Sequence, residues 1–303
     1  MADLTICFTS IRLSRAAEIA AVNAHGVCDV SPHTVRWFHS AIVSLMNYLG
    51  DVEITAVSPR DIAAWQDHQI KRGVGEVTIN SYLRALKTMF HRLQENRTIG
   101  HNPAHPIKPL PEPQPTAKAI TEAHYRQMKA AAGTMTHPIR NTAVIDTLWA
   151  TGCRAGELIG MDVQRLEQWA ENGRFCAAIQ VKGKLGKIRW VYWKGDQAES
   201  LIHWLAVRPP SRCAAVFTTE QHGRFTANSF SSLMRTIRAA ADLQGDHTNP
   251  HAFRHAFAIR QLDAGYDLAT VSQWLGHSSP EFTAKVYCVR TENELRKRYF
   301  SEP

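Results

Sequence analysis

Three features of the sequence predict a mainly α-helical fold with a small antiparallel β-sheet, divided into two domains. Capped, helix-periodic segments recur on both sides of one proline-rich stretch. That stretch, Asn102 to Ala119, carries prolines at 103, 106, 109, 111, 113 and 115. Only between residues 175 and 193 does the pattern turn to strands. The prolines forbid a helix and favour an extended connector. We therefore expect a helical domain over residues 1–101, a linker over 102–119 and a larger domain over 120–303. With 303 residues, the chain is long enough to bury a core in each.

In the first domain a weak helical pattern covers residues 11–24. Ser31 and Pro32 then start a helix with Val35, Phe38, Ile42, Leu45, Met46 and Leu49 on one face, ending at Gly50. Ser58 and Pro59 open another, which closes at Gly73. Thr78 is the expected cap of the next, with Tyr82, Leu83, Leu86, Met89, Phe90 and Leu93 inward and Arg84, Lys87 and Arg92 elsewhere around it. Beyond the linker, helices are expected at about 121–132, 138–151, 155–161, 195–206, 226–241, 251–264 and 268–275. The segments FCAAIQV and IRWVYW, joined by KGKLGK, predict two strands and a glycine-containing hairpin turn.

Composition narrows the partners. The 35 Lys and Arg against 27 Asp and Glu give a formal charge of +8, which favours a polyanion without requiring one. No run approaches the roughly 20 apolar residues of a membrane helix, and the N-terminus lacks the order of a signal peptide. A cytoplasmic protein with no membrane partner is expected. Cys7, Cys28, Cys153, Cys176, Cys213 and Cys288 contain no CxxC pair and read as reduced, mostly buried thiols.

The chemistry concentrates near the C-terminus, in HAFRHAFAIRQLDAGYDLATVSQWLGHSSPEFTAKVYCVR. His251 and Arg254 follow Pro250 and so begin a helix and share a face, where the helix dipole favours an anion. The Arg254 fork matches two phosphate oxygens. His251 and His255 have the spacing of a metal pair, but no HExxH glutamate or cysteine pair accompanies them, and no metal is expected. His277 follows Gly276 at a helix end. Tyr287 has a hydroxyl whose ordinary pKa of about 10 makes it a poor nucleophile without cations or a base beside it.

HAFRH, then WLGHSS, then a tyrosine ten residues after the second histidine resemble the C-terminal signature of the tyrosine recombinases, the phage integrase and Xer family. The resemblance demands an upstream arginine in a TGxRxGEL context, and TGCRAGELIGMD supplies Arg154 with Glu157. It also demands a lysine in a strand-turn-strand. VKGKLGKIRWV supplies one, placed at Lys184 by the V-x-G-K-G-x-K-x-R pattern. Leu185 stands where the pattern has Gly, Tyr192 where it has Pro, and Lys182 and Lys187 are the alternatives if the hairpin register differs. The interval from His277 to Tyr287 is one residue longer than in many members.

The resemblance implies an N-terminal helical, SAM-like core-binding domain and a C-terminal catalytic domain that together clamp duplex DNA. It implies Tyr287 as nucleophile, giving a 3′-phosphotyrosyl intermediate and a free 5′-hydroxyl. Arg154 and Arg254 would stabilise the transition state, His251 would exchange the tyrosine proton, Lys184 would protonate the leaving oxygen, and His277 would bond the phosphate. Glu157 would orient its neighbours. No metal, ATP or other cofactor is implied, and KGKLGKI lacks the spacing of a nucleotide-binding loop. The partners implied are a specific DNA site and further copies of the chain, in a homotetramer on two sites. Type IB topoisomerase activity and a catalytically silent DNA-binding role are the competing readings. Arg84, Lys87, Arg92, Arg97, Lys108, Arg235 and Arg238 are candidate phosphate contacts.

Overall fold

The computed structural model describes residues 11–22, 28–112, 119–183, 186–243 and 248–276. The chain divides into two compact units, Met1–Gln114 and Pro115–Pro303.

The first unit is formed by α1 (Leu13–Ala20), α2 (Pro32–Leu49), α3 (Pro59–Lys71) and α4 (Glu76–Glu95). Ser31 caps α2 by accepting from the Thr34 N–H, and Ser58 forms a reciprocal capping box with Asp61 on α3. Helix α4 begins earlier than Thr78 suggests. The Gly75 carbonyl takes the N–H groups of Thr78 and Ile79 at 2.9 and 3.1 Å, so the first turn closes ahead of the threonine. Phe38, Ile42, Leu45, Trp65, Met89 and Phe90 are buried in a common core.

The described part of the proline-rich stretch, 102–112, lies on this unit: it turns over residues 103–106, where the His105 N–H donates to the Asn102 carbonyl at 3.3 Å, and forms no helix or strand over 107–112. Ala104 is buried in the core. The Asn80 side chain donates to the Leu110 carbonyl and accepts from its N–H, both at 2.8 Å, and donates to Glu112 at 2.8 Å. Arg92 is likewise held within the unit: its Nε donates to the Ala20 carbonyl at 2.5 Å and its terminal nitrogen pairs with Asp29.

The second unit carries α5 (Glu122–Thr134), α6 (Pro138–Thr151) and α7 (Ala155–Ile159). Next comes an antiparallel sheet of β1 (Leu166–Glu171), β2 (Arg174–Lys182) and β3 (Ile188–Lys194), in that spatial order. Helices α8 (Asp196–Val207), α9 (Ala227–Ala240), α10 (Pro250–Asp263) and α11 (Leu268–Leu275) follow. The mainly helical class with a small sheet is as expected, with one strand more than the sequence suggested. Strand β1 is almost wholly exposed, so LEQWAE shows no alternation of apolar residues. Its signal is the Asn172-Gly173 pair, whose φ angles of 51° and 72° make a tight hairpin turn closed by the pairing of Glu171 with Arg174.

Met128, Leu148, Ile179, Trp193, Leu201 and Phe253 lie in the main core of this unit. A smaller cluster of Phe257, Ala258, Val271 and Leu275 joins α10 to α11. Two buried polar contacts tie the core together: Trp193 donates to Thr147, and Asp146 accepts from Tyr125 at 2.6 Å and pairs with Lys129. Of the cysteines described, only Cys153 is buried; Cys28 is exposed and Cys176 and Cys213 are half-buried, fewer buried thiols than expected.

Candidate active site

Three turns of backbone build the site. The first is the end of α6, where Gly152 adopts φ +56°. A Cβ there would lie 2.8 Å from Cβ of Phe257 on α10, so glycine provides both the left-handed turn and the close approach of the helices. The next residue, Cys153, is fully buried, and burial pushes its thiol up to about 11. That makes it a packing group and no nucleophile at neutral pH.

Arg154 follows at the mouth of α7, its side chain 35 % exposed. Glu157, three residues on, folds back: its carboxylate accepts from the Arg154 backbone N–H and guanidinium, both at 2.8 Å. A second cation, Arg189 of β3, donates to the same carboxylate at 2.6 Å. Burial alone pushes the Glu157 carboxyl up, but the Arg189 and Arg154 charges and the Arg154 hydrogen bonds outweigh it and hold the group below its ordinary value. Glu157 is thus an anion inside the fold.

The second turn is the start of α10. Asn249 accepts from the Ala252 N–H at 3.0 Å and Pro250 occupies the first helical position. His251 is exposed, whereas Arg254, one turn later, is only 3 % exposed. Arg254 donates to the Gly152 carbonyl at 3.0 Å and to the Leu275 carbonyl at 2.5 Å. Its guanidinium therefore bridges the end of α6 and the end of α11, which fixes its plane. Desolvation, followed by the charges of Arg254 and Arg154, lowers the pKa of His251, so the imidazole is neutral at pH 7. His255 is shifted the same way by burial, His251 and Arg254.

Arg154, His251 and Arg254 line one cavity of about 270 Å³. Ser231, Arg235 and Arg238 of α9 complete its basic wall, together with Thr248, whose buried hydroxyl has no hydrogen-bond partner. No carboxylate is among the lining residues, so the field in the cavity favours an anion. A neutral imidazole beside fixed guanidinium groups can accept a proton while a phosphodiester is held.

The third turn is Gly276, the left-handed cap of α11 at φ +65°. His277 and Tyr287 lie beyond it, outside the described residues, as do Lys184 and Cys288. The hairpin flanking Lys184 is closed by the Gly183 N–H donating to the Lys187 carbonyl at 2.7 Å, and Lys182 and Lys187 are exposed. Thus three of the six expected site residues are brought together in the described part of the chain. Sequence reasoning met Arg189 only as the last residue of the V-x-G-K-G-x-K-x-R pattern and gave it no role, and it missed Thr248. Thr248 stands three residues before His251, a proximity that could have drawn attention to it; the ion pair of Arg189 is with a residue 32 positions away. Among the described residues no group of three or more His, Cys, Asp or Glu could hold a metal ion, and no helix is long and apolar enough to cross a membrane.

Comparison with known proteins gives the same outline. Residues 118–294 match the phage integrase family, and residues 26–97 match the phage integrase N-terminal SAM-like domain. Tyrosine recombinase XerC of Actinobacillus pleuropneumoniae is 27 % identical over 279 residues, covering 89 % of this chain and 88 % of the relative. XerC of Corynebacterium efficiens is 28 % identical over 264 residues, covering 85 % and 81 %. Among solved structures, the XerH site-specific recombinase in a post-cleavage complex with palindromic difH matches with a TM-score of 0.71 at 18 % identity, covering 91 % of this chain and 82 % of that one. A lambda integrase dimer bound to a COC′ core site matches with a TM-score of 0.69 at 16 % identity, covering 93 % and 79 %.

Proposed function

This chain belongs to the phage integrase family and is a tyrosine site-specific recombinase, and on that premise we propose that it cuts and rejoins duplex DNA through Tyr287, with Arg154, Lys184, His251, Arg254 and His277 as the other reacting or phosphate-binding groups. The observation that carries the assignment is the cavity in which Arg154, His251 and Arg254 meet. Residues 1–101 form the core-binding domain, 102–119 the linker and 120–303 the catalytic domain.

The steps follow from the groups. A phosphate in the cavity places its non-bridging oxygens on the two guanidinium groups, which also offset the charge added as phosphorus becomes pentavalent. Neutral His251 takes the Tyr287 proton as the tyrosine oxygen attacks. Lys184 gives a proton to the departing 5′-oxygen, and His277 bonds the phosphate. The bond formed, tyrosine oxygen to the 3′-phosphate, replaces the phosphodiester bond broken. A 5′-hydroxyl from another strand then reverses the chemistry in a new pairing. The balance needs no ATP, metal or other cofactor.

The DNA partner is a specific recombination site in the cytoplasm, at the nucleoid, and two sites are joined within a homotetramer. The exposed cations Arg84, Arg97, Lys108 and Arg235 are available for flanking phosphates.

The direct test incubates the full chain with nicked duplexes carrying candidate sites and looks for covalent protein–DNA complex on denaturing gels. Wild type forms the complex and Tyr287→Phe forms none; an equal yield from Tyr287→Phe removes Tyr287 as the nucleophile. Joining of the trapped strand to a second duplex separates recombination from simple relaxation. Sizing at saturation with site DNA checks the assembly, and one monomer per isolated site refutes the tetramer.

A further inference from the structure

We propose that Arg189 is a positioning residue for strand cleavage, one that sets the lysine-bearing hairpin against the phosphate held by Arg154. It rests on the proposed reading in which a hairpin lysine protonates the leaving oxygen.

Arg189 is the second residue of β3 and pairs with Val181 of β2, so it stands at the root of the hairpin. Its side chain is 9 % exposed and is not among the residues that line the cavity. It reaches two other elements instead. One terminal nitrogen donates to Glu157 of α7 at 2.6 Å and the other to the Trp274 carbonyl at the end of α11.

Glu157 closes the link to the cavity because it also holds the backbone and side chain of Arg154. The hairpin root is seated on the same carboxylate. A Cβ at Gly183 would stand 3.4 Å from the Glu157 carboxylate, so the first residue beyond β2 passes directly over it. From the other side Gly276 covers the arginine: a Cβ there would come within 2.7 Å of Arg189 Cδ.

A planar fork is what this junction requires. The two acceptors belong to different elements, and the guanidinium spans both at fixed angles, whereas an ammonium is a point charge that fixes neither direction. With Arg189 in place, Arg154 and the hairpin share one rigid reference, the Glu157 carboxylate. Without it, the hairpin keeps its strand pairing but loses its registration to Arg154, and proton delivery to the leaving oxygen suffers first.

The experiment compares single-turnover cleavage of two nicked duplexes by the full chain. One has the normal 5′-oxygen at the scissile phosphate, the other a bridging 5′-sulfur. With sulfur, the tyrosine oxygen–phosphorus bond forms, the phosphorus–sulfur bond breaks and the electron pair leaves as a thiolate, with no proton needed from an acid. Arg189→Gln is expected to slow cleavage of the oxygen substrate by about 10- to 100-fold, part of the roughly 10²- to 10⁴-fold that an acid contributes. On the sulfur substrate it should run within about threefold of wild type. Equal slowing on both substrates, or wild-type rates on both, overturns the proposal.

Lys184→Ala, run alongside, tests the underlying reading separately: selective recovery on sulfur supports Lys184 as the acid. If Lys182→Ala or Lys187→Ala recovers in its place, the acid is reassigned while Arg189 is still judged by its own oxygen-to-sulfur ratio. Should Arg189→Gln fail to fold, Arg189→Lys keeps the buried charge. It is expected to show the same selectivity at a smaller amplitude, and a lysine variant equally slow on both substrates refutes the positioning role.

Discussion

The two units differ in what they bury. Among the described residues, the first buries the amides Gln66, Gln69 and Asn80 but no formal charge. The second buries Arg140, Asp146, Glu157 and Arg254. Desolvating an ion costs several kcal/mol even after relaxation, so a core that only has to be stable does well to exclude charge. The second unit accepts that cost at Arg254 and Glu157 of the candidate site and also at Arg140 and Asp146, which do not line its cavity, and it binds each charge closely. Arg140 bonds Asn141 and the Thr218 carbonyl, Asp146 bonds Tyr125 and Lys129, Glu157 takes two arginines, and Arg254 takes two carbonyls.

The sharpest way to break this contrast is to remove one buried anion and one buried amide. Glu157→Gln leaves the guanidinium of Arg189 buried without its counter-charge and should cost about 3–5 kcal/mol. Asn80→Ala in the first unit, which removes bonds to Leu110 and Glu112, should cost about 1–3 kcal/mol. Denaturant unfolding of the two variants checks the order, and a larger loss at Asn80 would contradict it.

Next in size is Arg254→Ala. It removes the proposed transition-state donor and the bridge between α6 and α11, and covalent-complex formation should fall about 10²- to 10³-fold in single-turnover assays. Smaller again is Gly152→Ala. A left-handed non-glycine residue costs about 1–3 kcal/mol, and the added methyl must also displace Phe257. A thermal midpoint unchanged from wild type would show that the α6–α10 approach is not as tight as described.

The smallest effects are those of pH. Glu157 has its folded pKa below the ordinary 4.5, so its contribution is present above that pH and is lost as pH falls through the folded value. Hydrogen exchange, corrected for its intrinsic pH dependence, should loosen α7 on acidification before α2 and α4. His251 is lowered from 6.5 by burial and the neighbouring arginines. Its neutral form thus persists to lower pH than that of an ordinary imidazole, and the acid limb of cleavage should have its midpoint below pH 6.5. An acid limb centred above 6.5 would speak against His251 as the base.

Legibility in the sequence follows the range of the interactions. Helices with local start signals, such as α2 with Ser31 and Pro32 or α6 with Pro138, are read almost to the residue because the cap and the helix are neighbours. Strand β1 escapes because a solvated strand needs no apolar alternation, although Asn172-Gly173 marks its turn. In the site, Arg154, His251 and Arg254 are legible as motif residues. Glu157, which holds Arg154 from three residues away, is legible in the same motif; the contacts of Arg254 and Arg189 are not, because the Arg254 acceptors are 102 and 21 residues away and the Arg189 acceptors 32 and 85. Such pairings are decided by packing and leave no local pattern.

Helix α11 draws out one consequence of those distant acceptors. It has eight residues, too few to persist alone in water, and the carbonyls of Trp274 and Leu275 at its end are occupied by arginines from β3 and α10. The helix therefore has no melting transition of its own. Its amides should exchange with the same opening free energy as those of α7 and the first turns of α10, as a single cooperative foldon. The chain leading toward His277 and Tyr287 leaves from a short helix whose end is anchored by arginines of two other elements.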